Sequence, residues 1–276
     1  MLEKHDIKPE QSLELLKELH ILTRDGKLNQ DSRRKLKQVN HLFQFIEPLL
    51  KKAHQDHADI TLVDHGAGKS YLGFILYDLY FKQLQGASRI FGIETRDELV
   101  EKSKALAQRL GFSGMTFLNL SVAESIESPQ LPATVDMVTA LHACDTATDD
   151  AIHFALKKAA RHIVLVPCCQ AEVAAVLRRN KARSLASGSL TEIWRHPLHT
   201  REFGSHVTNV LRCLQLEAHG YQVSVTELVG WEHSMKNELI IAEYKNLPRR
   251  RPSERLREVL QSLGLEEMNA RFFTSP

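Results

Sequence analysis

The apolar run Thr61-Leu62-Val63 ends in Asp64 and gives way to His65-Gly66-Ala67-Gly68-Lys69-Ser70, after which Tyr71 and Leu72 open a second apolar stretch. Strand, glycine turn and helix in that order bring backbone N–H groups and a carboxylate to a nucleotide-like ligand. Three ligand classes compete for the segment. A triphosphate loop needs glycine five residues before Gly68, where Val63 stands, so the Gly-Lys-Ser ending is read as coincidence. A dinucleotide fingerprint needs a third glycine at the position of Tyr71, and Gly73 falls too late to replace it. A sulfonium nucleoside such as S-adenosylmethionine has no phosphate to seat on a helix N-terminus and dispenses with that glycine.

On this third reading Asp64 either accepts from the cofactor's ammonium or organises the loop around it, while Gly66 and Gly68 let the backbone approach closely. The next apolar run, Arg89 to Glu94, ends in an acid placed to accept hydrogen bonds from both ribose hydroxyls. Ser121 and Val122 follow the third strand, where an adenine ring would lie. Both acids also have a plainer reading, Asp64 as a helix N-cap and Glu94 as a partner of the helix that begins near Asp97. Their joint placement on consecutive strand tips favours the adenosine cofactor.

A second concentration of reactive groups follows the fourth and fifth strands, in Leu141-His142-Ala143-Cys144-Asp145-Thr146-Ala147-Thr148-Asp149 and Val166-Pro167-Cys168-Cys169-Gln170. These strands are neighbours in a doubly wound sheet, so His142, Cys144, Cys168 and Cys169 meet beside the cofactor crevice. Three readings stay open for them: packed core residues, a metal site, or the lining of a methyl-acceptor pocket. Paired ligand spacing is absent, and adjacent cysteines do not easily face one tetrahedral centre, so no metal is assigned. His142 and Asp145 are the candidates for acid–base work, with helix capping the competing role for Asp145. Methyl transfer is an in-line displacement at the sulfonium carbon, which asks the protein mainly to hold the acceptor about 3 Å from the methyl. Lys236 is a candidate for orienting that acceptor, against an ordinary solvated lysine.

Positioning these groups requires strands, which the pattern of apolar runs predicts near 60–64, 89–94, 115–119, 135–141 and 162–167. Amphipathic stretches between them predict helices near 70–84, 97–110, 147–160 and 170–182. After a polar segment at 183–206, a helix at about 206–219 leads to Gln222–Val229 and Glu238–Tyr244, a terminal pair suited to an antiparallel edge. The fold class is therefore α/β, a doubly wound and mostly parallel seven-stranded sheet. Residues 9–22 and 32–53 carry helical periodicity and meet at the Asp25-Gly26 turn, making residues 1–57 a helical N-terminal extension to a core over 58–247. Residues 248–276 form a basic linker, Pro248-Arg249-Arg250-Arg251-Pro252, and a C-terminal helix from Ser253 to Leu263.

With these residues in view, the chain resembles a group of class I S-adenosylmethionine-dependent methyltransferases of Rossmann-like fold. The group includes the eukaryotic tRNA 2'-O-methyltransferases acting on the acceptor stem and related methyltransferase-like proteins. The likeness covers residues 60–170 best and rests on Asp64 to Lys69, Leu141 to Asp149 and Cys168-Cys169, with Glu232-His233-Ser234-Met235-Lys236-Asn237 as a late element. It implies the cofactor and the reaction class, with structured RNA, a tRNA ribose hydroxyl, as the leading acceptor. The chain departs from the tRNA enzymes at Asp145, where they usually carry glycine after the cysteine, and it shows no recognisable zinc-binding module outside the core. Its first 57 or so residues look similar to a helical leader seen in bacterial members.

Bulk composition narrows the partners. The 276 residues are 43% hydrophobic and 25% charged with a net charge of +2, so affinity for nucleic acid must come from local clusters. Three are present: Arg33-Arg34-Lys35 with Lys37, Arg178-Arg179 with Lys181 and Arg183, and Arg249-Arg250-Arg251 with Arg255 and Arg257. Aromatics make up 7% with no stacking run, which favours contact with a duplex backbone over reading of single-stranded bases. The start reads as an amphipathic helix rather than a secretory leader, and the apolar run Tyr71–Phe81 is far short of the roughly 20 residues of a membrane span. With four cysteines taken as reduced thiols, the expectation is a cytoplasmic protein with no membrane and no obligate protein partner. The alternatives are a methyltransferase of a protein or small molecule and a non-catalytic scaffold that binds S-adenosylmethionine.

Overall fold

The computed structural model describes residues 7–8, 11–23, 25–27, 29–141, 143–167, 170–180, 195–228 and 238–273. Seven strands form one sheet in the order β3-β2-β1-β4-β5-β7-β6. They are β1 Thr61–His65, β2 Arg89–Glu94, β3 Met115–Asn119, β4 Met137–Ala140, β5 His162–Leu165, β6 Tyr221–Glu227 and β7 Glu238–Tyr244. The first five run parallel, and β7 enters antiparallel between β5 and β6. The order runs outward from β1 to β3, then restarts on the other side with β4. Such a reversal opens a crevice at the carboxyl ends of β1 and β4, where α/β sheets seat their ligands. The topology is that of a Rossmann-like methyltransferase sheet.

Period-two alternation divides the core into two layers. Leu62, Ile90 and Phe117 face one cluster, completed by α3 (Tyr71–Leu79) through Phe74 and Leu76 and by α4 (Asp97–Leu110) through Val100 and Ala107. Val63, Ile93 and Val138 face the other, completed by Ile152, Phe154 and Ala155 of α6 (Thr146–Lys157). The N-terminal helices α1 (Leu13–Glu18) and α2 (Gln30–Asp56) pack into the first cluster through Leu15, Leu16, Leu36 and Ile46. A polar tie reinforces them: the buried Asp78 carboxylate of α3 accepts the Ser12 N–H at 2.8 Å and the Lys82 ammonium at 2.6 Å.

A third cluster joins α7 (Glu172–Arg179), α8 (Pro197–Ala218) and α9 (Arg250–Ser262), with Phe272 of the one-turn α10 (Asn269–Phe272). Gly204 makes the α7–α8 contact possible, since a Cβ there would lie 2.8 Å from the Ala174 backbone nitrogen.

Several boundaries differ from the sequence reading. Helix α8 begins at Pro197 rather than near 206, with proline at its first turn, where its missing N–H has no helical partner to lose. The same reason places Pro252 inside α9, so the helix starts at Arg250 and the arginine run is not an extended linker. Helix α3 closes at Leu79 and a 3-10 turn, Phe81–Gln83, replaces its expected last turn. An unforeseen short helix, α5 (Val122–Glu127), follows β3. Among the described residues no helix is long and apolar enough to cross a membrane.

Candidate cofactor loop and acceptor rim

The turn after β1 takes left-handed backbone at Gly66 (φ 66°), Gly68 (φ 57°) and Ser70 (φ 50°). Glycine adopts this region without penalty, which is why the two glycines stand where the chain must fold back between strand and helix. The loop is laced to the neighbouring strand: Ala67 N–H donates to the Ile93 carbonyl at 2.9 Å and Gly68 N–H to the Glu94 carboxylate at 2.8 Å. Gly66 faces Ala143 beyond β4, where a Cβ would come within 3.5 Å of the Ala143 methyl. A small, backbone-lined cradle thus sits at the switch point.

Glu94 also accepts from the Arg96 backbone N–H and from its Nε–H, each at 3.0 Å. Burial alone would raise its pKa, but the hydrogen bonds and charge of Arg96, with the Gly68 N–H, outweigh it and hold the carboxyl below the ordinary range. An ionised acceptor therefore stands at the tip of β2, which fits a ribose diol.

Asp64 lies behind the loop. It is 2% exposed, and its carboxylate accepts the Thr139 hydroxyl at 2.9 Å, the Ser70 hydroxyl at 3.2 Å and the Gly73 N–H in the first turn of α3. Of the two roles open to it, this geometry carries loop organisation, and through Gly73 it also satisfies a free helix-start amide. Burial raises its pKa to about 6. Ser70 is committed to Asp64, so the Gly-Lys-Ser ending offers no free hydroxyl of the kind a metal–triphosphate loop uses.

His65 points to the other face. Its ring lies 5.3 Å from Phe154, both ring nitrogens are buried without a hydrogen-bond partner, and burial lowers its pKa to about 4. Ser121 and Val122 open α5. The Ser121 hydroxyl meets the Glu124 N–H at 3.3 Å while Glu124 accepts the Ser121 N–H at 2.7 Å, a reciprocal capping box.

On the acceptor side, His142, Cys168, Cys169, Lys236 and the whole of Glu232–Asn237 lie outside the described residues. Cys144 is exposed, and it opens a tight turn closed by Ala147 N–H to the Cys144 carbonyl at 3.1 Å. Asp145 occupies the turn's second position with φ 50° and ψ −121°, backbone that glycine takes readily and other residues avoid. The Asp145 side chain does not cap α6, as its position before Thr146 suggested. It reaches the N-terminus of α7 instead, accepting from the Ala171 and Glu172 N–H groups at 2.9 and 3.3 Å.

Sequence reasoning missed Arg212. This α8 residue is wholly buried, grips Asp149 through two bonds of 2.8 and 2.7 Å, and donates to the Asp145 carbonyl at 2.8 Å. Its signal in the sequence is faint: an arginine beside Leu211 and Leu214, on a helix whose buried face also carries the polar Thr208, Asn209 and Gln215. The basic clusters are partly neutralised, Arg179 by Glu267, Arg250 by Glu254 and Arg255 by Glu217. Among the described residues, Lys69, Arg178 and Arg251 are exposed and take part in no ion pair.

A family model described as a methyltransferase domain matches residues 34–176, just over half of the chain. No curated protein matches it. Among solved structures, a putative O-methyltransferase from Klebsiella pneumoniae aligns over 84% of this chain and 87% of its own, at 11% identity and a TM-score of 0.46. Magnesium protoporphyrin IX methyltransferase from Synechocystis PCC 6803, with bound SAH, aligns over 84% and 93% at 14% identity and 0.43. An rRNA methylase from Streptococcus thermophilus aligns over 69% and 88% at 9% identity and 0.42.

Proposed function

The chain belongs to the methyltransferase-domain family, and from that premise we propose that it is an S-adenosylmethionine-dependent methyltransferase whose cofactor lies across the tips of β1 and β2. The observation that carries this reading is the pairing of Gly68 N–H with Glu94, which sets an ionised carboxylate beside a left-handed glycine turn. Such a cradle accepts a ribose diol and admits a nucleoside against bare backbone, with no phosphate-binding element required. When bound, the cofactor supplies an electrophilic methyl on a sulfonium.

The protein's own residues then divide the work. Gly66 and Gly68 leave room for the ligand, Glu94 orients its ribose, Asp64 fixes the loop, and Ser121 and Val122 border the adenine. We assign the acceptor to structured RNA, a tRNA ribose hydroxyl, with His142 as the group that would take the hydroxyl's proton. Asp145 fixes the turn beside it, and Cys144, Cys168, Cys169 and Lys236 line the acceptor pocket. The exposed and unpaired Lys69, Arg178 and Arg251 support phosphate contact.

Calorimetric titration with S-adenosylmethionine, ATP and NAD tests the cofactor: saturable heat with the first alone is expected, and saturation with ATP alone overturns the reading. Tritiated methyl transfer onto total RNA, total protein and small metabolites from cells lacking the protein tests the acceptor. Label in RNA is expected, and label confined to protein or metabolites reassigns it.

A further inference from the structure

We infer that one face of α8, made by Ser205, Asn209 and Arg212, is the device that positions the methyl-acceptor site. The inference rests on the acceptor lying at the loops after β4 and β5. Spacings of four and three residues put the three side chains on one side of the helix. That side is turned into the protein: Arg212 is wholly buried and Asn209 is 3% exposed. A polar stripe inside a helix packing surface is unfavourable unless each group finds a partner, and here the partners come from the loop after β4, the start of α6, the loop after β5 and the first residue of β7.

Arg212 holds the loop after β4. Its guanidinium donates to the Asp145 carbonyl at 2.8 Å and forks onto Asp149 at the start of α6. Asn209 holds the loop after β5, its carbonyl oxygen accepting Gln170 Nε2–H at 3.2 Å, while its amide donates to Glu238 at the head of β7. Ser205 adds a hydroxyl donated to the Gln170 carbonyl oxygen. Asn209 and Arg212 are themselves joined at 3.2 Å, so the loops after β4 and β5 and the first residue of β7 hang from one connected network. Asp145 closes the circle by receiving the α7 amides on its carboxylate.

The candidates for chemistry are chain neighbours of these anchors. Cys144 precedes Asp145, Cys169 precedes Gln170, and Lys236 comes two residues before Glu238. The Asp145 backbone occupies a region that residues other than glycine avoid, and the Arg212 bond to its carbonyl is what fixes the direction of that peptide. Arg212 is thus a positioning residue: it acts through the Asp145 peptide, next in the chain to Cys144.

The test compares wild type with Arg212→Lys and Asn209→Ala in the full chain, by amide hydrogen exchange, S-adenosylmethionine affinity and steady-state methyl transfer. The acceptor is whichever of total RNA or total protein the wild type labels. Arg212→Lys should raise exchange at least tenfold in residues 143–149 and 170–176 while leaving residues 62–68 and 90–96 unchanged. Cofactor Kd should stay within threefold, and kcat should fall tenfold or more with apparent KM for the acceptor within threefold. Asn209→Ala, which keeps the ion pair, should give the same pattern at smaller amplitude and carries the test alone if Arg212→Lys does not fold. Faster exchange spread over the whole sheet with lost cofactor affinity, or unchanged kcat despite looser loops, overturns the inference. A wild type that binds no S-adenosylmethionine defeats the proposed function instead, and exchange still decides whether α8 holds the loops after β4 and β5.

Discussion

The two sides of the crevice are held by opposite means. On the cofactor side, the loop after β1 is bonded to the strand beside it, Gly68 to Glu94, partners 26 residues apart and joined through a backbone amide. On the acceptor side, the loops after β4 and β5 are held by side chains of a helix arriving later in the chain, with Arg212 reaching back 63 and 67 residues to Asp149 and Asp145. The cofactor cradle draws on side chains too, the carboxylates of Asp64 and Glu94, but both stand on the strands that flank its own loop. The acceptor rim draws instead on one distant helix, so a substitution on α8 is expected to loosen the loops after β4 and β5 while the cradle stays.

The largest expected effect breaks the acceptor half. Arg212→Met leaves Asp149 buried without its counter-charge, and unfolding free energy should drop by about 3 to 5 kcal/mol. Adding Asp149→Leu removes the stranded charge and should recover most of it, since a well-packed apolar pair replaces a buried ion pair at little loss. Urea midpoints of the two variants decide the matter; a single variant that loses under about 1 kcal/mol would make the two halves equally robust.

The next effect sharpens the cofactor half through adjacent groups that titrate in opposite senses. Asp64 ionises near 6 in the fold against 3.8 ordinarily, because burial disfavours its charge. The folded state therefore holds the extra proton, and this contribution to stability is lost as pH rises from about 4 to 6. His65 protonates near 4 against 6.5 ordinarily, also through burial. There the unfolded chain holds the extra proton, and stability rises over pH 4 to 6.5. At about 1.4 kcal/mol per pH unit each is worth about 3 kcal/mol, and the two largely cancel. His162, likewise lowered to about 4 by burial, adds a rising contribution from the far end of β5. Asp64→Asn should steepen the gain in stability between pH 4 and 6 by about 3 kcal/mol, and His65→Phe should flatten it comparably. Parallel curves for all three proteins would remove the opposition.

A smaller effect bears on the ligand rather than the fold. Glu94→Ala should weaken S-adenosylmethionine by about 1 to 3 kcal/mol, roughly 5- to 150-fold, through lost charge-assisted hydrogen bonds. Calorimetry reads it directly, and unchanged affinity would reduce Glu94 to a brace for Gly68 and Arg96.

The same contrast governs what was legible beforehand. Strand tips, the glycine turn and the sheet class follow from local pattern, so Asp64, Gly66, Gly68 and Glu94 could be assigned to one loop system from neighbouring residues. The direction of a side chain could not: burial of Asp64 behind the loop depends on Thr139, which arrives with β4. Arg212 and Asn209 fall inside the helix the pattern predicts at about 206–219, yet their roles are illegible because their partners lie far away in the chain; Ser205 alone is lost to the helix start, which Pro197 sets nine residues earlier. Asp145 was tied to the wrong helix for the same reason, since α7 reaches it only through the fold.

Ser121 gives the finest discrimination between local structure and ligand contact. Its hydroxyl and N–H are both engaged with Glu124, at 2.6 and 2.7 Å, so the side chain has a complete structural role as the cap of α5. Ser121→Ala should lower stability by about 1 kcal/mol, the usual loss for an N-cap hydroxyl. If the adenine is bordered only by backbone and by Val122, cofactor affinity should be unchanged in that variant, whereas Ser121→Gly, which keeps most of the cap propensity, should restore stability. A loss of affinity in both variants alike would instead make the hydroxyl a ligand contact, a second cofactor-binding side chain beside Glu94.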